Sequence, residues 1–180
     1  GVFAGNDTTV CAGQPVRLGD PNATGSIVAQ FEDFNACALP TGWTVSRTQG
    51  AVDWVIGNPP SGNGSSFSGT NGTCLAYYDD DAVGNNNWNI ITLKSPSIDA
   101  TGFITAELNL ELFYNADEFS NVYPSNFEIA VWDGSAYQVI QTGNNNIGGA
   151  TWDQFVDTTY NLTPYLNSAL HIRFTYDDGD

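Results

Sequence analysis

Positive charge is almost missing from this chain. Four basic residues, Arg17, Arg47, Lys94 and Arg173, stand against twenty acids, for a formal net charge of −16. Such a chain repels nucleic acid and anionic membrane surfaces, and its few bases form no stripe that would offset the repulsion. The acidity draws divalent cations or cationic partners, or serves only to keep the protein soluble. Long apolar runs are missing too. No stretch of about 18 apolar residues occurs, so no segment reads as a membrane-spanning helix. No charged-then-apolar signal peptide opens the chain; one would have been removed or would lie upstream. Methionine is absent, and Lys94 is the lone lysine.

Catalytic apparatus is equally scarce. The single histidine, His171, alternates with apolar residues and so points outward from a predicted strand. No nucleophile motif, local cysteine signature or phosphate-binding glycine loop stands beside it. Nothing in the pattern selects two of the twenty acids as a hydrolytic pair. The chain therefore reads as a non-enzyme. Its cysteines, Cys11, Cys37 and Cys74, have no CxxC spacing, which argues against zinc. An acidic, lysine-poor chain suits an oxidising compartment, where one disulfide, Cys37–Cys74, is expected. Cys11 is then free or paired elsewhere; three buried thiols are the alternative.

What is present is the material of short strands and tight turns: 19 glycines, 10 phenylalanines, 8 tyrosines and 5 tryptophans. Residues 1–25 differ from the rest. Thr8–Cys11 and Pro15–Leu18 are two strand candidates joined by turn chemistry, and they read as a linker or the edge of a neighbouring domain. Residues 26–180 read as one all-β module. Strands are predicted over Ile27–Phe31, Trp43–Ser46, Val52–Ile56, Thr73–Tyr78 and Trp88–Lys94, with a long Gly/Ser/Asn/Pro loop over 57–72. The second half alternates more cleanly. Leu108, Leu110, Leu112 and Tyr114 form one inward set, Phe127, Ile129 and Val131 another, and Leu170, Ile172, Phe174 and Tyr176 a third. Asp133-Gly134-Ser135 predicts a hairpin leading into Tyr137–Gln141. Only 163–167 suits a short helical turn. This pattern predicts an antiparallel two-sheet sandwich of jelly-roll type. Asn-x-Ser/Thr triplets at Asn6, Asn22, Asn63, Asn71 and Asn161 matter only in a glycosylating pathway.

Several segments carry a resemblance. Phe31-Glu32-Asp33-Phe34 followed by Leu39-Pro40-Thr41-Gly42-Trp43 resembles the opening of the cleaved-adhesin and choice-of-anchor J domains. These are MAM-like jelly rolls of secreted Bacteroidota surface proteins. Leu93-Lys94-Ser95-Pro96-Ser97-Ile98-Asp99 is similar to a strand end of that family, as are Tyr160–Tyr165 and Leu170–Phe174 to its later segments. Residues 4–13 separately resemble the start of Ig-like or PKD-like repeats. The resemblance implies a secreted or cell-surface adhesion or recognition module, stabilised by structural Ca²⁺. The family ends with a further strand where this sequence stops at Asp177–Asp180, so the sandwich is expected to lack its last strand here, as a fragment or with the strand supplied by another segment.

Two kinds of site follow. Calcium takes six to eight oxygens, and acids cluster at Glu32-Asp33, Asp79-Asp80-Asp81 and Asp177-Asp178-Asp180. The resemblance points to Glu32 and to loop acids such as Asp117. The candidate ligands are Glu32, Asp33, Asp79, Asp117 and Asp178; solvated turn acids are the alternative. The second site is aromatic. Trp88 follows three asparagines and Trp152 follows a Gly/Asn loop, while Trp132 ends a strand. Flat rings beside amides and carboxylates suit sugars. Trp43 and Trp54 read as core or loop-base residues. The expected partners are a glycan or protein at an extracellular surface and neighbouring domains or subunits, with no nucleic acid and no membrane insertion. A filament subunit, or an ancillary domain of a secreted protease or glycosidase, are the competing functions.

Overall fold

Period-two alternation becomes strands wherever one phase has an apolar face to bury against. A computed structural model of the chain describes residues 28–58, 74–79, 88–114, 126–143, 147 and 155–179. Nine strands form, and one 3₁₀ turn, among the described residues. They are β1 (Thr44–Gln49), β2 (Val55–Gly57), β3 (Leu75–Tyr77), β4 (Ile90–Lys94), β5 (Glu107–Leu112), β6 (Asn126–Trp132), β7 (Tyr137–Gly143), β8 (Val156–Asn161), the turn η1 (Thr163–Tyr165) and β9 (Ile172–Asp177). The chain divides into two compact units, Gly1–Phe31 and Glu32–Asp180. All nine strands belong to the second.

The fold is an all-β sandwich of antiparallel sheets. The larger sheet has the order β1-β4-β9-β6-β7, and the pairs β5-β8 and β2-β3 make two smaller sheets. The core is the inner phase of the large sheet: Ile91, Phe127, Ile129, Val131, Ile172 and Tyr176. Leu108, Leu110 and Leu112 of β5 and Tyr160 of β8 pack against it. On β5 the alternation is complete, with Glu107, Asn109 and Glu111 outside and the three leucines turned in. Full burial of such a side chain contributes roughly 1.5–3 kcal/mol, and these half-buried leucines contribute a part of that. A bulge between Ile129 and Ala130 leaves Ile140 of β7 without a partner across the ladder, and Ile140 packs against the core.

The β6–β7 hairpin turns where the sequence predicts. The Asp133 carboxylate accepts the Ser135 and Ala136 amides and the Ser135 hydroxyl, and Gly134 takes φ +102°. Those donors hold the Asp133 carboxyl well below the usual carboxylate range, the Ala136 amide first among them. The helical turn expected over 163–167 is η1.

Other boundaries differ. The strand expected over Ile27–Phe31 is absent from its described residues, 28–31; Val28 and Phe31 are exposed, so no buried face drives pairing there. The strand expected from Val52 starts only at Val55, because the Ala51 and Val52 amides donate to the Asn89 side chain. Trp88 and Asn89 likewise precede β4. Tyr114 lies beyond β5 in an isolated bridge to Ile147. β8 was unexpected: its Asp and Thr residues carry little apolar signal, and it is a strand because it pairs in register with β5. Among the described residues no helix is long and apolar enough to cross a membrane. The strand candidates at 8–11 and 15–18, and Cys11, lie outside the described residues.

Cys37 and Cys74 form the expected disulfide, with Cα atoms 5.2 Å apart. It ties the turn after Glu32-Asp33 to the start of β3 across a sequence separation of 37 residues. Cross-linking a loop of this size removes about 3–4 kcal/mol of unfolded-chain entropy. Cys37→Ser/Cys74→Ser is therefore expected to lower the thermal midpoint by roughly 10 °C in scanning calorimetry. An unchanged midpoint would show that the cross-link adds no stability.

Candidate functional site

Register decides which side chains share the outer face of the large sheet. Antiparallel partners point the same way. One row crosses the sheet as Thr44, Lys94, Arg173, Ala130 and Val139. The next holds Ser46, Thr92, Thr175, Glu128 and Thr142. A third pairs Ile90, Asp177 and Asn126. Beyond the first row lie Trp132 and its partner Tyr137. The inner phase is spent on the core, so this polar, hydroxyl-rich phase is the one turned away from it.

One end of the face is an aromatic cluster. The Trp132 and His171 rings stack with centroids 5.8 Å apart and planes 15° apart. Tyr137 meets both edge-on, at 5.3 and 5.5 Å. The Arg173 guanidinium carbon sits 4.0 Å over the Tyr137 ring, and its Nη2 donates to Glu128 Oε1 at 2.7 Å. Arg173 on β9 and Tyr137 on β7 flank β6, where the intervening outward residue is Ala130. Ala130 has 0% exposure, as a small residue has beneath a long side chain crossing over it.

His171 is outward, as its phase predicts, and its two nitrogens are engaged. Nδ1 lies 2.8 Å from the Ala169 carbonyl and Nε2 lies 2.8 Å from the Tyr137 hydroxyl. A carbonyl only accepts, so Nδ1 carries a proton and donates it to Ala169. Ser97 Oγ is 3.3 Å from Nδ1, but a protonated Nδ1 cannot remove its proton. The Ser–His pair is therefore no nucleophile and base.

Trp88 marks the other end. It is 45% exposed, and its indole Nε1 donates to Asp177 Oδ1 at 2.7 Å. From His171 to Asp177 the chain rises roughly 20 Å at about 3.3 Å per residue. Two of the three predicted tryptophans thus lie at opposite ends of one face. The third, Trp152, lies outside the described residues.

Behind Trp88 is a fully buried amide. Asn89 has 0% exposure. Its Oδ1 accepts from the Ala51 and Val52 amides, at 2.9 and 3.1 Å. Its Nδ2 donates to the Tyr78 hydroxyl at 2.8 Å and to Asp178 Oδ2 at 3.0 Å. Asp178, also buried, accepts further from the Asn89 amide at 2.6 Å and from the Tyr78 hydroxyl at 2.7 Å. Gly50, at φ +81°, leaves room for this amide; a Cβ there would overlap it.

This geometry locates the predicted calcium ligands. Glu32 Oε1 accepts the Phe34 amide, and Asp33 accepts the Asn35 amide and side chain. Asp178 is in the Asn89 network, and Asp79 is buried directly after Tyr78. Asp117 lies outside the described residues. Among the described residues no three His, Cys, Asp or Glu side chains converge on a point that could hold a metal. Glu32, Asp33 and Asp178 turn oxygens to amides and a hydroxyl of their own chain. A shallow depression of about 290 Å³ on β5–β8 is lined by polar groups including Glu111 and Asp157, which face each other across the ladder. It has no aromatic wall.

Sequence reasoning passed over Tyr137, Lys94, Arg173 and Asn89. Alternation placed Arg173 and His171 in one outward phase, but only cross-strand register sets Tyr137 and Lys94 beside them. No family model, curated protein or solved structure matches the chain.

Asn89→Ala leaves the Asp178 carboxylate short of a donor and two amides without an acceptor. It is expected to cost about 3–4 kcal/mol, measured by denaturant unfolding. A loss below about 1 kcal/mol would mean water replaces the amide.

Proposed function

We propose that this chain is a non-catalytic recognition module of a larger extracellular surface protein, and that it binds a glycan across the outer face of its five-stranded sheet. One observation carries this reading: Trp88 and Trp132 sit at the two ends of a single face whose middle rows are hydroxyls, an amide and charged groups. Rings supply stacking surface for sugar C–H faces, and the hydroxyl rows supply hydrogen bonds. The disulfide suits an oxidising compartment. The sequence resemblance to adhesin-type jelly rolls supports the setting. The engagement of both His171 nitrogens supports the non-catalytic part.

Recombinant protein is expected to bind a subset of spots on a glycan array. Trp132→Ala and Trp88→Ala should each weaken that binding about fivefold or more, with the thermal midpoint held within a few degrees. Absence of binding to any glycan, by a folded protein, would refute the reading.

Calcium enters through the resemblance and not through the described acids. The expected outcome is a thermal midpoint that rises with added Ca²⁺ and falls back with EDTA. An unchanged midpoint removes the metal and leaves the binding face untouched.

A further inference from the structure

We propose that the glycan held on this face is an acidic one, and that Lys94 and Arg173 bind its carboxylate. The inference rests on the glycan-binding role proposed above and names the class of sugar. It starts from where the few cations lie. Of four basic residues in a chain with twenty acids, two are direct partners across β4 and β9, on the outer face. Like charges placed opposite each other on a sheet are destabilising, with Cβ atoms about 5 Å apart. Acids are plentiful enough to neutralise both.

They do not. Among the described residues the ion pairs are Arg47–Asp53 and Arg173–Glu128. Lys94 enters neither, although it is half-buried. Arg173 gives Nη2 to Glu128, and its Nε is buried with no hydrogen-bond partner. Glu128 offsets one of the two charges, and Asp177 lies at the far end of the face beside Trp88. Among the described residues, the row through Lys94 and Arg173 therefore keeps one positive charge with no ion-pair partner.

The surroundings give this charge a direction. Tyr137 and Glu128 hold the Arg173 guanidinium in place, so it meets a carboxylate as a fixed positive charge. Trp132 lies immediately beyond, in reach of a ring whose carboxylate sits between the cations. Thr92 and Thr175, whose hydroxyl oxygens are 3.4 Å apart, offer bonds to sugar hydroxyls on the other side. The net charge of −16 disfavours dense polyanions such as nucleic acid or heavily sulfated chains. A sugar with one carboxylate per residue meets the local positive charge at lower long-range cost.

The test is an array of oligo-uronates, each printed beside its methyl ester, together with neutral glycans. Wild type is expected to bind at least one free acid about tenfold or more above its ester. Lys94→Gln should abolish that difference without lowering the thermal midpoint, since it also relieves the like-charge pair across β4 and β9, and Arg173→Lys should reduce it. Trp132→Ala should lower both signals. Equal binding to acid and ester, or binding to neutral glycans alone, overturns the carboxylate assignment and leaves the glycan reading standing. No binding to any spot by folded protein overturns both.

Discussion

The buried amide of Asn89 is the constraint on which the architecture turns. A primary amide at 0% exposure is costly unless its donors and acceptor are used, and here they all are. Its partners come from the segment after β1, the end of β3 and the end of β9. The Asn89 carbonyl also accepts the Asp178 amide, which extends the β4–β9 ladder past its last formal pair. One side chain thus holds three chain segments to the start of β4. Remote requirements follow from it. Gly50 must lack a Cβ, Asp178 must supply acceptors, and Tyr78 must stand within reach of both.

This pinning has a consequence for the outer face. Asp177 and Asp178 are neighbours on β9 and its extension, so they point to opposite sides of the sheet. With Asp178 buried in the network, Asp177 turns outward and receives the Trp88 indole. The polar knot on the inside therefore sets the aromatic at one end of the outside. At the other end the rigidity is aromatic: Trp132, Tyr137 and His171 pack against one another and Arg173 closes over the Tyr137 ring. Both ends are preformed, so little side-chain freedom is left to lose on binding.

Much of the strand content was legible because it follows from alternation. Leu108, Leu110 and Leu112, and Ile172, Phe174 and Tyr176, declare their inward phase with no knowledge of partners. The Asp133-Gly134-Ser135 turn is legible because its bonds are local. The boundaries that moved did so for long-range reasons. Ala51 and Val52 are drawn to Asn89, 37 or more residues away, and β8 is a strand through its register with β5. The acids were the least legible. Asp33, Asp79 and Asp178 look alike in sequence, yet one caps a turn and two are buried.

The sequence by itself determined the all-β class, the inward phases, the hairpin and the scarcity of positive charge. These depend on period and composition, which are properties of the chain alone. Only the tertiary structure decided what shares a surface: Lys94 beside Arg173, Tyr137 against His171, Trp88 and Trp132 on one face. The reason is physical. Alternation fixes which side of its own strand a residue takes, but strand order and register fix its neighbours, and these are set by contacts between residues far apart in sequence.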